Sequence, residues 1–224
     1  MFEGVKFVEG TVAPSVTTVG GDIGHSSAAR SFSKRLFDIC AAAIVLLALL
    51  PFCLITAVCI RLETPGPALF RQRRTGLNGK KFSIYKFRSM TVIEDGGSVA
   101  QATSDDERVT RVGRLLRRTS LDEVPQLINI LRGEMSFVGP RPHAVAHDVE
   151  FALTVPAYVR RFRARPGLTG FAQVRGYRGE IRTREDLQGR IDADIEYIET
   201  WSIAHDVTTL IKTLPLMFGD DRAY

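Results

Sequence analysis

The amino-acid sequence predicts an α+β fold, mostly helical, in which one apolar N-terminal helix precedes a small globular domain. Three observations support this fold class. An uncharged, mostly apolar run extends from Ile39 to Ile60, and much of the later chain has helical periodicity. Two short alternating segments also flank an Asn-Gly pair, which is typical of a β-hairpin. The predicted organisation is a disordered tail at 1–30, a membrane-embedded helix at 31–62 and a globular domain at 63–224.

Composition is that of an ordinary globular protein whose basic residues are unevenly placed. Its 224 residues are 45% hydrophobic and 25% charged, and the net charge is +5. The arginines cluster at 71–74, 108–118 and 160–165, which favours phosphate partners on nucleic acid, nucleotides or anionic lipids, or else a solvated basic face. The three cysteines all lie in the apolar run and have neither disulfide nor zinc-site spacing. A reducing, cytoplasmic setting for the globular domain follows.

The apolar run is long enough to cross a bilayer as a helix. Pro51 lies near its middle, where it removes a helical hydrogen bond and bends the chain. Basic residues flank both ends, so the positive-inside rule gives no orientation. They are Arg30, Lys34 and Arg35 before the run, and Arg61, Arg71, Arg73 and Arg74 after it. A straight span and a buried helix remain open, but a re-entrant helix that bends at Pro51 and returns to the cytoplasmic side satisfies both flanks.

The remaining elements follow from periodicity and turn residues. We expect a hairpin of Ala68–Arg73 and Lys81–Phe87, and a mobile loop at 94–106. We expect helices at Arg108–Arg118, at His143–Arg163 with a break at Pro156, and at Glu185–Ile203, and a short strand at Phe171–Val174. The apolar segment Leu210–Phe218 contains Pro215 and is predicted to pack against the membrane surface.

The stretch from Ser120 to Pro142 carries the strongest chemical signal. Asp122 and Glu123 are adjacent carboxylates, and Arg141 follows nineteen residues after Asp122 between two prolines. Carboxylates can hold a divalent cation or act as a nucleophile, and an arginine fork on a rigid turn matches phosphate oxygens. This combination indicates phosphoryl chemistry.

A purely structural interpretation of the same residues is also open. Ser120 followed by Glu123 before an apolar run is the pattern of a capping box, with Ser120 as N-cap. The two interpretations are compatible, because a helix N-terminus would lower the pKa of Asp122 and keep the carboxylate ionised.

Two further features of the sequence are candidate sites. Asp194 lies on an otherwise apolar helical stripe with Leu187 and Ile191, and a buried aspartate needs a partner or a cation, although a surface position at the stripe's edge is the alternative. His143 and His147 are four residues apart, as metal ligands on a helix are, but no third ligand accompanies them.

Taken in order, the motifs from Lys34 to Tyr224 resemble the bacterial sugar transferase family of monotopic polyprenyl-phosphate phosphoglycosyl transferases. The segments that carry the resemblance are Lys34–Asp38, Pro65–Pro67, Lys86–Met90, Ser120–Glu123, Gly133–Pro142 and Arg165–Gly170. Each alone is weak, but six in the same order are specific.

The resemblance implies a reaction and a set of roles. Such enzymes transfer a sugar-1-phosphate from a UDP-sugar to undecaprenyl phosphate and release UMP. Asp122 would be the nucleophile, Asp122 and Glu123 would hold Mg²⁺, and Asp194 would be a further acidic residue that catalysis needs. Pro51 matches the proline that bends the family's membrane anchor. Phosphate or nucleotide contacts are implied for Arg88, Arg117, Arg141, Pro142, Arg165 and Gln173.

The resemblance also implies a setting. The catalytic domain would lie on the cytoplasmic face of a bacterial inner membrane, with amphipathic helices on lipid, and a homodimer is allowed. The segments around Gly176–Glu180 and Tyr197–Ser202 look most like members that start exopolysaccharide repeats with glucose-1-phosphate, with galactose as the alternative. A non-catalytic membrane-tethered scaffold and a nucleic-acid binder are the competing classes. The alternating Tyr85–Met90 segment is more simply a half-buried strand, so no nucleic-acid partner is expected.

Overall fold

The computed structural model describes residues 24–91, 106–179 and 181–219, with side chains up to residue 216. Most of the predicted tail, the predicted loop at 94–106 and the C-terminal Ala223–Tyr224 therefore lie outside the described residues. The elements, in order, are α1 Ser27–Arg30, α2 Phe32–Glu63, β1 Leu69–Thr75, β2 Lys81–Phe87, α3 Arg111–Arg118, α4 Gln126–Arg132, β3 Ser136–Val138, α5 Val145–Thr154, β4 Gly167–Thr169, α6 Phe171–Val174, α7 Arg184–Thr200 and α8 Ile203–Gly219. Short 3-10 segments lie at Leu77–Gly79, Leu121–Glu123 and Pro156–Arg163.

Helix α2 forms without interruption through Pro51 and has 32 residues, a length of about 48 Å. Its N-terminus is capped by Ser31, whose hydroxyl accepts a hydrogen bond from the Lys34 amide at 3.2 Å. Among the described residues it is the one helix long and apolar enough to cross a membrane. Much of its surface is exposed and apolar; Leu47, for example, is 73% exposed. The bend expected at Pro51 stays a prediction.

The chain before α2 differs from the prediction. Residues 26–30, assigned to a disordered tail, form the short helix α1 and its cap. The Ser26 amide donates to the Arg163 carbonyl at 3.0 Å, and Ala28 is buried. This segment is fixed by contacts with residues far along the chain, which local composition cannot reveal.

The predicted hairpin is confirmed. Strands β1 and β2 pair antiparallel from Leu69 opposite Phe87 to Thr75 opposite Lys81. Asn78 in the connecting 3-10 turn has a φ of 54°, the left-handed conformation that asparagine tolerates better than most residues. The hairpin brings Lys86 to the side of the domain where the Leu121–Glu123 turn lies.

The second sheet is a short parallel pair, β3 with β4. The strand predicted at Phe171–Val174 is wrong, because that segment is the one-turn helix α6 and the strand is Gly167–Thr169 instead. A Cβ on Gly167 would lie 2.2 Å from the Gly139 amide nitrogen, so only glycine permits this backbone approach. The close pairing places the Pro140–Pro142 turn directly beyond the end of β3.

Both halves of α2 pack against the same globular body. The largest hydrophobic cluster joins Ala42 of α2 to residues of α4, β3, α6 and α7, including Ile130 and Tyr197. A separate cluster joins Ile60, near the other end of α2, to Phe87 of β2 and Leu116 of α3. The helix is therefore held along its length by one domain.

Candidate active site

The Asp122–Glu123 pair lies in a 3-10 turn, Leu121–Glu123, and the capping-box prediction is wrong. Ser120 has a φ of 57° and makes no side-chain cap, and its hydroxyl accepts from Arg178 instead. The Glu123 carboxylate turns away from the Ser120 amide towards two cations. Because the turn is only three residues long, no helix macrodipole lowers the pKa of Asp122 as the sequence had indicated.

Glu123 is held by two cations from different elements. Its Oε1 accepts from Lys86 Nζ at 2.6 Å, and Arg141 donates to Oε1 and Oε2 at 2.5 and 3.1 Å. Burial by itself raises the pKa of the Glu123 carboxyl, but Arg141 and Lys86 outweigh it and hold the pKa well below its usual range. Glu123 therefore stays ionised and orients the arginine fork.

The pKa of Asp122 is shifted in the opposite direction from that of Glu123. It is only 8% exposed, and within the described part of the chain no hydrogen bond joins its carboxylate to another residue. Burial raises its pKa above the usual range, and the Glu123 charge adds to this effect. Lys86, Arg117 and Arg141 oppose the rise without cancelling it. A desolvated carboxylate of raised basicity beside fixed cations is suited to attack on a phosphorus atom.

Asp194 lies behind Arg141. Its Oδ2 accepts from Arg161 Nε at 2.7 Å, while Arg161 Nη2 donates to the Arg141 carbonyl at 2.7 Å. Burial raises the pKa of the Asp194 carboxyl, and Arg161 opposes part of that rise. Its Oδ1 is buried without a hydrogen-bond partner among the described residues. Asp194 does not contact Glu123; it orients Arg161, which braces the turn that presents Arg141.

A buried polar network that the sequence analysis missed continues from Arg161. His143 Nδ1 lies 3.1 Å from Arg161 Nη1 and 2.7 Å from the Tyr158 hydroxyl, which donates to Asp148 Oδ1 at 2.6 Å. Asp148 Oδ2 accepts from Thr75 at the end of β1. Burial and the charge of Arg161 lower the pKa of His143 well below its usual range, so the imidazole is neutral. No signal in local sequence pattern links these residues, since they come from four separate elements.

This network accounts for His143 without a metal. Among the described residues, no group of three or more His, Cys, Asp or Glu side chains could hold a metal ion. A small, partly open pocket lies beside Arg141 and Arg161 and is lined by Gly76, Pro140, Phe162 and others.

Two of the arginines expected at phosphates donate to protein carbonyls in this structure, and their contact with phosphate stays a prediction. Arg88 donates to the carbonyls of Pro65 and Thr64, both at 2.7 Å, at the C-terminal end of α2. Arg165 donates to the carbonyls of Gly133 and Ala29, both at 3.1 Å. In this arrangement both guanidinium groups join elements of the fold, and neither makes a hydrogen bond to Asp122 or Glu123.

The other expected residues lie nearer the pair or remain available. Arg117 lies at the end of α3, and its positive charge acts to lower the pKa of Asp122. Its Nη1 lies 3.6 Å from Met90 Sδ. The Pro142 carbonyl accepts from Arg74 Nη1 at 3.0 Å. Gln173 is 5% exposed, and its amide has no hydrogen-bond partner among the described residues. Its contact with a nucleotide stays a prediction.

Comparison with known proteins gives consistent matches. The family model of bacterial sugar transferases matches residues 29–220. The chain is 54% identical over 191 residues to the UDP-glucose:undecaprenyl-phosphate glucose-1-phosphate transferase of Caulobacter vibrioides, covering 85% of this chain and 72% of that protein. The Escherichia coli protein of the same name is 47% identical over 85% of this chain and 41% of its own length.

A third relative is named for a different sugar. The UDP-N-acetylgalactosamine-undecaprenyl-phosphate N-acetylgalactosaminephosphotransferase of Aeromonas hydrophila is 41% identical over 82% of this chain and 43% of its own length. The chain thus spans about two fifths of the length of the Escherichia coli and Aeromonas proteins. The family match covers the apolar helix, the hairpin and every residue of the Asp122 site, and on this evidence the chain belongs to the bacterial sugar transferase family.

Proposed function

We propose that this protein transfers glucose-1-phosphate from UDP-glucose to undecaprenyl phosphate, releases UMP, and so starts an exopolysaccharide repeat. The observation that carries the proposal is a buried Asp122 that has no hydrogen-bond partner in the described part of the chain, beside a Glu123 that is fixed by Lys86 and Arg141. The Caulobacter and Escherichia coli relatives, named for this reaction, support the choice of donor and acceptor.

The site supports a two-step displacement. An Asp122 oxygen attacks the sugar-linked phosphorus, a new O–P bond forms, and the bond to the bridging oxygen breaks so that UMP leaves. An oxygen of the acceptor phosphate then attacks the same phosphorus and releases the Asp122 carboxylate. No net proton transfer is needed. Arg141, held by Glu123 on one side and braced by Arg161 on the other, provides a preorganised positive charge for the phosphate oxygens.

Magnesium fits this donor set. Mg²⁺ in enzymes of phosphate transfer commonly takes one or two carboxylates and fills its other positions with water and substrate phosphates. Asp122 has a carboxylate without a hydrogen-bonded partner in the described residues, and Glu123 is adjacent. These two residues would hold the ion, which would neutralise charge on the diphosphate.

The same proposal includes a re-entrant anchor on the cytoplasmic face of the inner membrane. The apolar α2 and the family indicate membrane association. Near the start of α2, Lys34 pairs with Asp206 at 2.7 Å; at its end, the Glu63 carboxylate accepts from the Arg111 amide at 2.7 Å. A helix that crosses a bilayer core of about 30 Å places its two ends on opposite sides of the membrane. Both ends of α2 bind the same domain, which a straight span would not allow. A bend at Pro51 would let α2 enter and leave on the same side.

The second candidate is the same reaction with another hexose. The Aeromonas relative is named for N-acetylgalactosamine, which shows that the family's members differ in sugar. A galactose-1-phosphate or N-acetylhexosamine-1-phosphate donor would use the same Asp122 chemistry, because the phosphoanhydride bond that breaks is the same in every UDP-sugar.

The test is UMP release from a panel of UDP-sugars with undecaprenyl phosphate and Mg²⁺. We expect release from UDP-glucose, its loss on chelation, and a decrease of at least about a thousandfold in Asp122→Asn, as for other lost nucleophiles. Asp122→Asn should still fold and bind membranes. Retained turnover in this variant would exclude the aspartate intermediate, and release from a different UDP-sugar alone would reassign the donor. No release from any UDP-sugar by a folded, membrane-bound wild type would favour the non-catalytic scaffold.

A further inference from the structure

The loop at 176–179 presents one arginine to the turn that carries Asp122. Gly176 and Gly179 have φ values of 88° and 93°, so the loop makes two backbone turns that favour glycine. Arg178, between them, donates from Nη2 to the Ser120 hydroxyl at 2.5 Å and from Nη1 to the Leu216 carbonyl at 2.8 Å. One guanidinium therefore joins the Asp122 turn to helix α8.

The loop is itself anchored on two helices. The Tyr177 amide donates to the Ala172 carbonyl at 2.9 Å, and Arg190 of α7 donates to the Gly179 carbonyl at 3.0 Å. The Tyr177 ring lies over Gly189 of α7, where an added Cβ would be 2.5 Å from the ring. Arg178 is thus presented from a fixed base and does not need to order a free loop.

Ser120 is an acceptor that benefits from a fixed donor. It holds a left-handed conformation, which costs free energy in a residue other than glycine and persists only where neighbours hold it. Leu216 lies in the last turn of α8 that the structure describes, a part of a helix where carbonyls often accept from groups outside it. A cation at a helix C-terminus also interacts favourably with the helix dipole.

The exposed surface of helix α8 bears on the second hydrogen bond of Arg178, the one to the Leu216 carbonyl. Its side chains Ile203, Val207, Ile211 and Leu214 are 43–61% exposed and recur at helical spacing, so one stripe of α8 faces away from the domain. We propose that Arg178 is a positioning residue: it holds the Ser120 turn in the conformation that aims Asp122, and it links that turn to the seating of α8. This inference rests on the proposed function for its catalytic consequence, but not for the contact itself.

The first test measures the contact without turnover. In full-length protein reconstituted in lipid nanodiscs, hydrogen–deuterium exchange of a peptide spanning 119–123 should be faster in Arg178→Ala than in wild type. Arg175→Ala is the matched control, because Arg175 comes from the same region but forms an exposed ion pair with Glu196. Equal exchange in wild type and both variants would overturn the proposal, whether or not the protein turns over UDP-glucose.

The second test is a double-mutant cycle with Ser120→Ala. Loss of a hydrogen bond to a charged group should lower kcat by about tenfold or more in Arg178→Ala and leave the KM for UDP-glucose within about twofold. Arg178→Lys should recover part of kcat, since one arm can be replaced. The double variant should be little worse than Arg178→Ala alone. If the effects of the two single variants on kcat multiply in the double variant, or if only KM changes, Arg178 does not act through Ser120. Suppose that the wild type releases no UMP, while Arg178→Ala still speeds exchange in the 119–123 peptide. The proposed function would then be wrong, but the contact between Arg178 and Ser120 would be supported.

Discussion

Asp122 and Glu123 are neighbours in sequence and buried to the same extent, yet their pKa values move in opposite directions. The difference comes from partners. Glu123 accepts hydrogen bonds from Lys86 and Arg141, and these offset the free-energy cost of removing its charge from water. The Asp122 carboxylate has no such donor among the described residues. One carboxylate is therefore a fixed counter-ion, and the other is the one we propose as the nucleophile.

This asymmetry predicts that Asp122→Asn is more stable than wild type at neutral pH. The ordinary pKa of the aspartate is 3.8 and the folded value is higher, so ionised Asp122 costs stability. That cost is absent below the unfolded pKa, grows as pH rises from there to the folded pKa, and is constant above it. Thermal unfolding should give the variant a higher Tm at neutral pH, with a gap that narrows as pH falls towards the unfolded pKa of 3.8.

Glu123→Gln is the paired control. The pKa of Glu123 is lowered on folding, so its ionisation adds stability above the unfolded value of 4.5 and that stability is lost as pH falls. This variant should be less stable than wild type at neutral pH. A lower Tm for Asp122→Asn than for wild type at neutral pH would mean that the cations outweigh burial at Asp122 as well.

At the scale of elements, helix α7 carries two ion pairs in different surroundings. Asp194 binds Arg161 with both side chains at most 3% exposed, while Glu196 binds Arg175 with both more than 40% exposed. Breaking a buried pair leaves an uncompensated charge, whereas water screens an exposed pair. The two residues are two positions apart on one helix, which makes them a matched comparison.

We therefore expect Arg161→Gln, which leaves the buried Asp194 carboxylate without its cation, to lower the free energy of unfolding by about 3–5 kcal/mol, and Arg175→Gln by no more than about 1 kcal/mol. Chemical denaturation of the solubilised protein measures both. Arg161→Gln should also lower kcat, because the Arg161 guanidinium then no longer braces the Arg141 turn. Equal small losses in the two variants would show that Asp194 finds another partner or is reached by water.

At the scale of the whole molecule, the placement of α2 leads to a prediction on topology. Its N-terminal half packs with α4 and β3, and its C-terminal end with β2 and α3. In a variant lacking the native cysteines, single cysteines at Arg30 and Leu62 should both react with an impermeant thiol reagent from the cytoplasmic side only. Leu62 is 82% exposed, so access within the protein is not limiting. Labelling of the two positions from opposite sides would establish a straight span.

The sequence predicted this whole-molecule organisation unevenly. The apolar run, the hairpin and the long helix at 184–200 were all found, because hydrophobic periodicity and Asn-Gly turns act locally. The strand predicted at Phe171–Val174 was wrong because its β-prone residues are outweighed by packing, which places the parallel pairing at Gly167–Thr169. Helix α1 was missed for the related reason that its anchor, Arg163, is remote in sequence.

By itself, the sequence determined the family and the presence of a long apolar helix, and it named the residues proposed for the reaction, since these depend on motifs and composition along the chain. Only the tertiary structure decided which charges meet. It directed Arg88 and Arg165 to carbonyls, gave Glu123 two cations, left Asp122 unpaired among the described residues and brought Arg178 to Ser120. Electrostatic roles depend on distance and burial, and residues from separate elements acquire both only when the chain folds.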